Sequence, residues 1–88
     1  MTEKKITIVN RAGIHARPAA IIVDKAKDFK STIHLEKGNL KINAKSILGI
    51  MTLGAGYGVE LKIIAQGEDE EEAAAALARL FESRFEEE

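Results

Sequence analysis

Residues 32–43 read Thr-Ile-His-Leu-Glu-Lys-Gly-Asn-Leu-Lys-Ile-Asn, and this stretch decides the fold. Two runs of alternating polar and apolar residues flank the turn-forming pair Gly38-Asn39, which is the pattern of a β-hairpin. Residues 5–9 and 59–65 repeat the alternation, so we predict four strands in all. Because each strand has one apolar and one polar face, we expect an antiparallel sheet that buries one face and exposes the other.

Three helices are predicted to cover the buried face of this sheet. Residues 16–29 and residues 70 to about 85 carry apolar side chains at the spacing of an amphipathic helix. Asp69 is expected to cap the latter, and acidic residues fill its first turn. Residues 46–53 begin with Ser46, a good capping residue, but span only about two turns. The order strand, helix, strand, strand, helix, strand, helix predicts an α+β fold, with one domain over residues 1–88.

Composition excludes several classes of function. The 88 residues carry a net charge of -1, so the chain has no overall positive charge to hold DNA or RNA. The absence of Cys excludes disulfides, thiolate metal sites and thiol nucleophiles. The chain has only short apolar runs and begins with Met-Thr-Glu-Lys-Lys, so we expect no membrane span and no secretory signal. A cytoplasmic protein is the simplest interpretation.

The chemistry is expected between the first strand and the first helix, where residues 10–20 read Asn-Arg-Ala-Gly-Ile-His-Ala-Arg-Pro-Ala-Ala. Gly13 permits a turn and Pro18 fits the first turn of a helix, so His15 should lie at a helix N-terminus. Backbone N–H groups and the helix dipole attract phosphate there, and Arg17 adds a guanidinium suited to phosphate oxygens. These positive surroundings favour a neutral imidazole, which is a nucleophile.

Two further expectations concern the same residues. The residue before a proline avoids the α region, so Arg17 predicts an irregular helix start. From the residues alone, an alternative stays open in which His15 is only a capping residue and Arg17 only a surface charge.

A resemblance to a known family favours the functional interpretation. Residues 13–20, Gly-Ile-His-Ala-Arg-Pro-Ala-Ala, resemble the active-site motif of the histidine phosphocarriers (HPr) of the bacterial sugar phosphotransferase system. Residues 43–54, Asn-Ala-Lys-Ser-Ile-Leu-Gly-Ile-Met-Thr-Leu-Gly, resemble the second motif of that family at the expected spacing. The resemblance covers about residues 5–81 and implies the HPr open-faced β-sandwich, with a four-stranded antiparallel sheet and three helices on one face.

The resemblance also implies a mechanism and partners. His15 would be phosphorylated on Nδ1 by enzyme I, which uses phosphoenolpyruvate, and would pass the phosphoryl group to IIA domains of sugar permeases. Arg17 and the backbone N–H groups of Ala16 and Arg17 would hold the phosphoryl oxygens. The chain would thus be a carrier and not a turnover enzyme, with no metal and no organic cofactor at His15.

Ser46 resembles the regulatory serine that HPr kinase/phosphorylase modifies in many bacteria, and a catabolite-control regulator would then be a further partner. The alternative, in which Ser46 is simply a helix cap, stays open. Its phosphate would oppose docking of an acidic partner, so transfer to His15 should slow. Helical geometry leaves apolar residues outside the predicted core, with Ile50 and Leu53 as core residues. The resemblance implies partner contacts at Ile47, Leu48 and Met51. We therefore expect partners to dock on six residues: Ala20, Ile21, Ile47, Leu48, Met51 and Gly54.

Several other interpretations are weighed against this one. A regulatory HPr-like protein acting only through phosphorylated Ser46 would be expected to lack the active histidine. An unrelated nucleic-acid or small-ligand module would need a basic face or stacking aromatics, and the chain has only 3 Phe, 1 Tyr and no Trp. His34 has no second His or Cys nearby, which argues against a metal site. The regular alanine run at 73–76 leaves an engineered or heat-adapted HPr variant open, and we expect a monomer.

Overall fold

The computed structural model describes residues 1–86 and consists of one sheet with three helices and a final 3₁₀ turn. In chain order the elements are β1 (Thr2–Thr7), α1 (Ala16–Ala26), β2 (Thr32–Lys37), β3 (Leu40–Asn43), α2 (Ile47–Thr52), β4 (Glu60–Gln66), α3 (Glu70–Glu82) and the 3₁₀ turn Arg84–Glu86. The strands lie in the order β1-β4-β2-β3, and every neighbouring pair is antiparallel. The predicted order and the open-faced β-sandwich are therefore confirmed.

The register of the strands places their apolar side chains on the face that the helices cover. Ile6 pairs with Leu61 and Leu35 pairs with Ile63, and all four side chains are buried. α3 packs on β1, β4 and β2, while α1 packs against α2 and α3. Burying each such side chain stabilises the fold by about 1.5–3 kcal/mol. The core between sheet and helices includes Ile8, Ile22, Ile33, Ile50, Leu53, Leu77 and Phe81.

The other face of the sheet is mainly polar, as the alternation predicts, with Ile64 of β4 as a buried apolar residue among its polar neighbours. Lys62 Nζ lies 3.8 Å from carboxylate oxygens of both Glu3 and Glu36, which flank it on the neighbouring strands. Such partly exposed ion pairs contribute little to stability. This face of the sheet is therefore the one that contacts solvent.

Three elements differ from their predicted bounds by more than one residue. β1 occupies Thr2–Thr7 rather than residues 5–9, because Thr2 already pairs with Ala65. α1 ends at Ala26 rather than at residue 29, because the N–H groups of Asp28 and Phe29 donate to carbonyls only three residues back. α3 ends at Glu82 rather than near residue 85, and the chain turns back at Phe85, whose φ is 57°. This turn packs the Phe85 ring edge-on to Phe81, with 5.1 Å between the ring centroids.

Two carboxylates tie the beginning of α3 to the sheet. Asp69 is the N-cap residue, but its side chain makes no capping bond and instead accepts hydrogen bonds from Lys30 N–H, Ser31 N–H and the Ser31 hydroxyl. Glu70 accepts from Gly67 N–H, from the Thr2 hydroxyl and from the N-terminal amine. Asp69 is therefore the N-cap residue of α3, as the sequence predicts, but its carboxylate binds donors from the two residues just before β2 instead of an N–H of the helix.

These hydrogen bonds lower the pKa of both carboxyl groups to about 2. For Asp69 the largest cause is the hydroxyl of Ser31, and for Glu70 it is the N-terminal amine. Each donor favours the charged form of the acid. The two carboxylates thus hold together the start of the chain, the start of β2 and the start of α3.

Within residues 1–86, no helix is both long and apolar enough to cross a membrane.

Candidate functional site

The segment that leads into α1 is fixed against the loop that follows α2. Gly13 has a φ of 73°, and a Cβ at this position would lie 2.9 Å from the Cα of Gly56. The N–H of Ile14 donates to the carbonyl of Ala55 over 2.9 Å. A side chain at residue 13 would therefore push these two loops apart, and glycine allows the close approach.

His15 lies at the beginning of α1, as predicted. It is the N-cap residue with φ -110° and ψ -166°, and its carbonyl accepts the first helical hydrogen bond from Ala19 N–H. The His15 side chain is exposed and makes no capping bond to the helix. α1 is helical from Ala16 onward, so the irregular start expected from Arg17-Pro18 is not observed. The imidazole is therefore presented at a helix N-terminus and is accessible.

The first turn of α1 supplies groups that can bind an anion. The helix itself offers no acceptor for the N–H groups of Ala16 and Arg17, and Pro18 has no N–H. No acidic residue occupies this turn, and the side chain of Arg17 is exposed. A nucleophilic ring nitrogen beside two such N–H groups and a guanidinium is an arrangement suited to accepting a phosphoryl group.

Ser46 begins α2 as its cap. The Ser46 Oγ accepts from Gly49 N–H over 3.0 Å, as the sequence predicts, and the residue is half-buried. Its neighbour Lys45 donates from Nζ to the carbonyl of Phe29 over 2.8 Å, which links this turn to the loop after α1. Ser46 is thus held in place by its own hydrogen bond and by its neighbour.

An apolar surface lies on α2, and we call Ile47, Leu48 and Met51 the α2 surface. These side chains are 46%, 79% and 42% exposed, whereas Ile50 and Leu53 belong to the core. The remaining predicted contact residues are mixed: Ala20 and Ile21 are half-buried, Ile21 also packs against the core, and Gly54 is exposed. Packing of α1 against α2 brings these predicted contact residues onto neighbouring elements.

A family model described as "PTS HPr component phosphorylation site" matches residues 2–83, which include both the His15 segment and α2. The chain belongs to the HPr family of the phosphotransferase system. It is 49% identical to the phosphocarrier protein HPr of Treponema pallidum, and the alignment covers 100% of both chains. The HPr family is a family of phosphocarrier proteins of the phosphotransferase system.

Two further relatives extend the comparison. The crystal structure of HPr-C-His from Thermoanaerobacter tengcongensis superposes with a TM-score of 0.96 at 55% identity, covering 100% of this HPr-family chain and 99% of the other. The HPr-like protein Crh of Bacillus subtilis is 47% identical over 89% of this chain and 92% of its own length. A crystal structure of Crh, described as an intertwined dimer with a swapped domain, matches with a TM-score of 0.77 at 44% identity over 96% of this chain and 97% of that one.

Two residues of the segments that meet at Gly13 have no role in the sequence-based predictions. Asn10 is only 1% exposed, and its Nδ2 donates to the carbonyl of Gly13 over 2.6 Å. Tyr57 is 66% exposed in the loop whose Gly56 contacts Gly13. An asparagine three residues before a turn glycine is a local signal that could have indicated the first contact. The position of Tyr57 depends on a contact between loops far apart in the sequence.

Proposed function

We propose that His15 of this HPr-family chain accepts a phosphoryl group from enzyme I and donates it to IIA domains of sugar permeases. The observation that carries the proposal is the exposed imidazole at the N-terminus of α1, next to the N–H groups of Ala16 and Arg17. Membership in the phosphocarrier family supports the same assignment. These partners also favour a location in the cytoplasm.

The transfer step follows from the groups at this helix end. A ring nitrogen of His15 attacks phosphorus, a P–N bond forms, and the bond from phosphorus to the donor breaks, with its electron pair leaving on the donor. The N–H groups of Ala16 and Arg17 and the Arg17 guanidinium then hold the phosphoryl oxygens. Donation to a IIA domain is the same step with the roles exchanged, so the chain ends each cycle unchanged.

The test is incubation with phosphoenolpyruvate and enzyme I, followed by intact mass measurement and acid treatment. We expect one acid-labile phosphate that disappears in His15→Ala. His34→Ala is the matched control, because His34 is the other histidine of the chain and lies on β2. Acid-labile phosphate that persists in His15→Ala would overturn the proposal.

We also propose Ser46 as a regulatory phosphorylation site for an HPr kinase/phosphorylase, with a catabolite-control regulator as the reader of the modified chain. The half-buried position of Ser46 next to the α2 surface supports this second role, because a phosphate there changes the charge where partners would dock. The similarity to Crh raises the alternative of a purely regulatory protein, but the presence of His15 and Arg17 favours the carrier.

The Ser46 proposal has its own test. Incubation with ATP and the kinase should give acid-stable phosphate that Ser46→Ala abolishes, and the modified chain should accept phosphate at His15 more slowly. Acid-stable label that remains in Ser46→Ala would reject this site. Modification at Ser46 without any change in the rate at His15 would reject its regulatory effect.

The α2 surface is proposed as the docking face for enzyme I, with Ala20, Ile21 and Gly54 beside it. Leu48→Asp should raise the KM for this chain as a substrate of enzyme I about tenfold, with little change in kcat. Leu40→Asp is the matched control, because Leu40 is a 40% exposed leucine on β3. Equal KM values for the two variants would argue against docking on α2.

The working state is proposed to be a monomer, since β1 pairs along Thr2–Thr7 with β4 of the same chain. Light scattering at increasing concentration tests this, and a stable dimer mass would contradict it.

A further inference from the structure

Asn10 is a buried amide whose place in the fold calls for an explanation. The residue is 1% exposed. Within residues 1–86, the buried polar residues are Asn10 and Ser31. Asn10 Oδ1 has no hydrogen-bond partner among residues 1–86, and a buried oxygen without a partner destabilises the folded state. Packing alone therefore does not account for an asparagine at this position.

The other end of the amide makes a short, local hydrogen bond. Asn10 Nδ2 donates to the carbonyl of Gly13 over 2.6 Å, and Gly13 N–H donates to the carbonyl of Asn10 over 3.1 Å. The amide orientation follows from this contact, because the reversed amide would set two oxygen atoms against each other. Backbone and side chain of Asn10 together close the turn that precedes His15.

The two hydrogen bonds around residue 13 fix one peptide plane. The peptide between Gly13 and Ile14 accepts from Asn10 through its carbonyl, and it donates to the Ala55 carbonyl over 2.9 Å through its N–H. A peptide unit held at both polar ends cannot rotate without breaking one of the two bonds. Only Ile14 separates this fixed peptide from His15.

We propose that Asn10 is a positioning residue for phosphoryl transfer, which sets the orientation of the His15 ring by holding the Gly13–Ile14 peptide in place. The proposal rests on the assignment of His15 as the phosphoryl acceptor. Asn10 acts through its hydrogen bonds to Gly13, so its effect is on the geometry of the His15 segment. Small displacements of a reacting group lower the rate of the chemical step more than they weaken docking.

Asn10→Leu and Asn10→Asp are the variants that test this role. Leucine has a similar size and no donor, while at neutral pH aspartate presents an oxygen to the Gly13 carbonyl in place of the N–H. We expect kcat for phosphorylation by enzyme I to fall about tenfold or more in both variants, with KM changed less than about twofold. Ser31→Ala is the control, because it alters the other buried polar residue, which follows the opposite end of α1 from His15, and it should leave kcat unchanged.

A second measurement does not depend on phosphorylation. In NMR spectra of the imidazole groups, the ring resonances of His15 should shift in both Asn10 variants, while those of His34 stay in place. Wild-type kcat in a folded Asn10→Leu or Asn10→Asp variant, or unshifted His15 resonances, would reject the proposal. Failure of both variants to fold would also reject it, since Asn10 would then serve folding alone.

The two assignments can fail separately. If the wild-type chain takes no phosphate at His15, the proposed function is wrong, and the NMR spectra still show whether Asn10 orients the ring. If the wild-type chain is phosphorylated at His15 and the variants match it, only the role of Asn10 is wrong.

Discussion

The beginnings of α1 and α3 differ in the charges that the chain places at the positive end of each helix. The first turn of α1 has no acidic residue and follows an exposed histidine. The first turn of α3 contains Glu70, Glu71 and Glu72 and follows Asp69. Both helix ends have the same dipole, and only one of them is supplied with carboxylates from its own first turn.

The difference separates a functional helix end from a structural one. At α3, Asp69 and Glu70 bind donors from the loop before β2, from β1 and from the chain start, so the carboxylates stabilise the fold. At α1 the first-turn N–H groups and Arg17 are suited to an anion that arrives from another molecule. The same backbone feature thus serves stability at α3 and, under the proposed function, phosphoryl transfer at α1, according to the charges that the sequence places beside it.

The largest expected effects come from two glycines, one before each helix. A Cβ at Gly13 would meet Gly56 Cα at 2.9 Å, and one at Gly67 would meet Ser31 Cα at 2.7 Å, with φ values of 73° and 151°. Clash and backbone strain together should lower the free energy of unfolding by about 3 kcal/mol in Gly13→Ala and in Gly67→Ala. Urea denaturation measures this quantity.

The two glycine variants also test whether the beginnings of α1 and α3 differ in function. Gly13→Ala should slow phosphoryl transfer in the fraction that remains folded, whereas Gly67→Ala should not. Gly38→Ala is the control for strain without a clash, because its φ is 57° and no atom lies within 4 Å of the added Cβ. Equal transfer rates in the Gly13 and Gly67 variants would show that the two helix beginnings are not functionally distinct.

A carboxylate placed in the first turn of α1 should make it resemble α3. In Ala16→Glu the new side chain would compete with phosphate for the helix end, so the rate of transfer should fall about tenfold while stability is kept or slightly increased. Asn39→Glu adds the same charge at the exposed β2-β3 turn and should transfer phosphate normally. An unchanged rate in Ala16→Glu, measured with enzyme I, would contradict the idea that α1 requires a first turn without acids.

The parts of the fold that depend on local pattern could be predicted from the sequence. The hairpin at 32–43 lies within one residue of its predicted strands, because alternation and the Gly38-Asn39 turn are local signals. β1 lies three residues earlier than predicted at its start, because its extent depends on pairing with distant Ala65. The turn at Phe85 could not be predicted either, since a positive φ is rare for phenylalanine and packing against Phe81 stabilises it.

The candidate site also combines features that local sequence predicts with contacts between residues far apart in the sequence. His15, Arg17 and Pro18 lie together in the sequence, so their placement at a helix N-terminus could be predicted from spacing. The contact of Gly13 with Gly56 joins two loops that no local pattern connects. Asp69 shows the limit most clearly, because a good local capping residue bonds instead to Ser31, 38 residues away. Local chemistry is therefore predictable here, and competition from distant donors is not.

Acid should weaken the contacts that Asp69 and Glu70 make at the beginning of α3. The pKa of Asp69 is lowered from 3.8 to about 2 by its bonds to Ser31 and Lys30, and that of Glu70 from 4.5 to about 2, chiefly by the N-terminal amine. Because both folded-state values lie below the unfolded ones, their stabilisation is complete above about pH 4.5 and is lost as the pH falls to about 2. Thermal unfolding between these limits should show a smaller dependence on pH in Asp69→Asn and Glu70→Gln. A slope equal to that of the wild type would contradict this assignment.

The smallest expected effect concerns α2. Its N-terminus is capped by the neutral hydroxyl of Ser46, whereas α3 begins with carboxylates and α1 with neither. Ser46→Ala removes the bond from Gly49 N–H and should lower the free energy of unfolding by about 1 kcal/mol. Ser46→Asp should keep most of that stability, because aspartate also caps helices, yet its charge should slow docking of enzyme I. Chemical denaturation and transfer kinetics on the two variants separate the structural role of Ser46 from its regulatory role. If Ser46→Asp lost as much stability as Ser46→Ala and transferred phosphate at the wild-type rate, both roles would be wrong. The three helix beginnings would then differ in function only through the charges near α1 and α3.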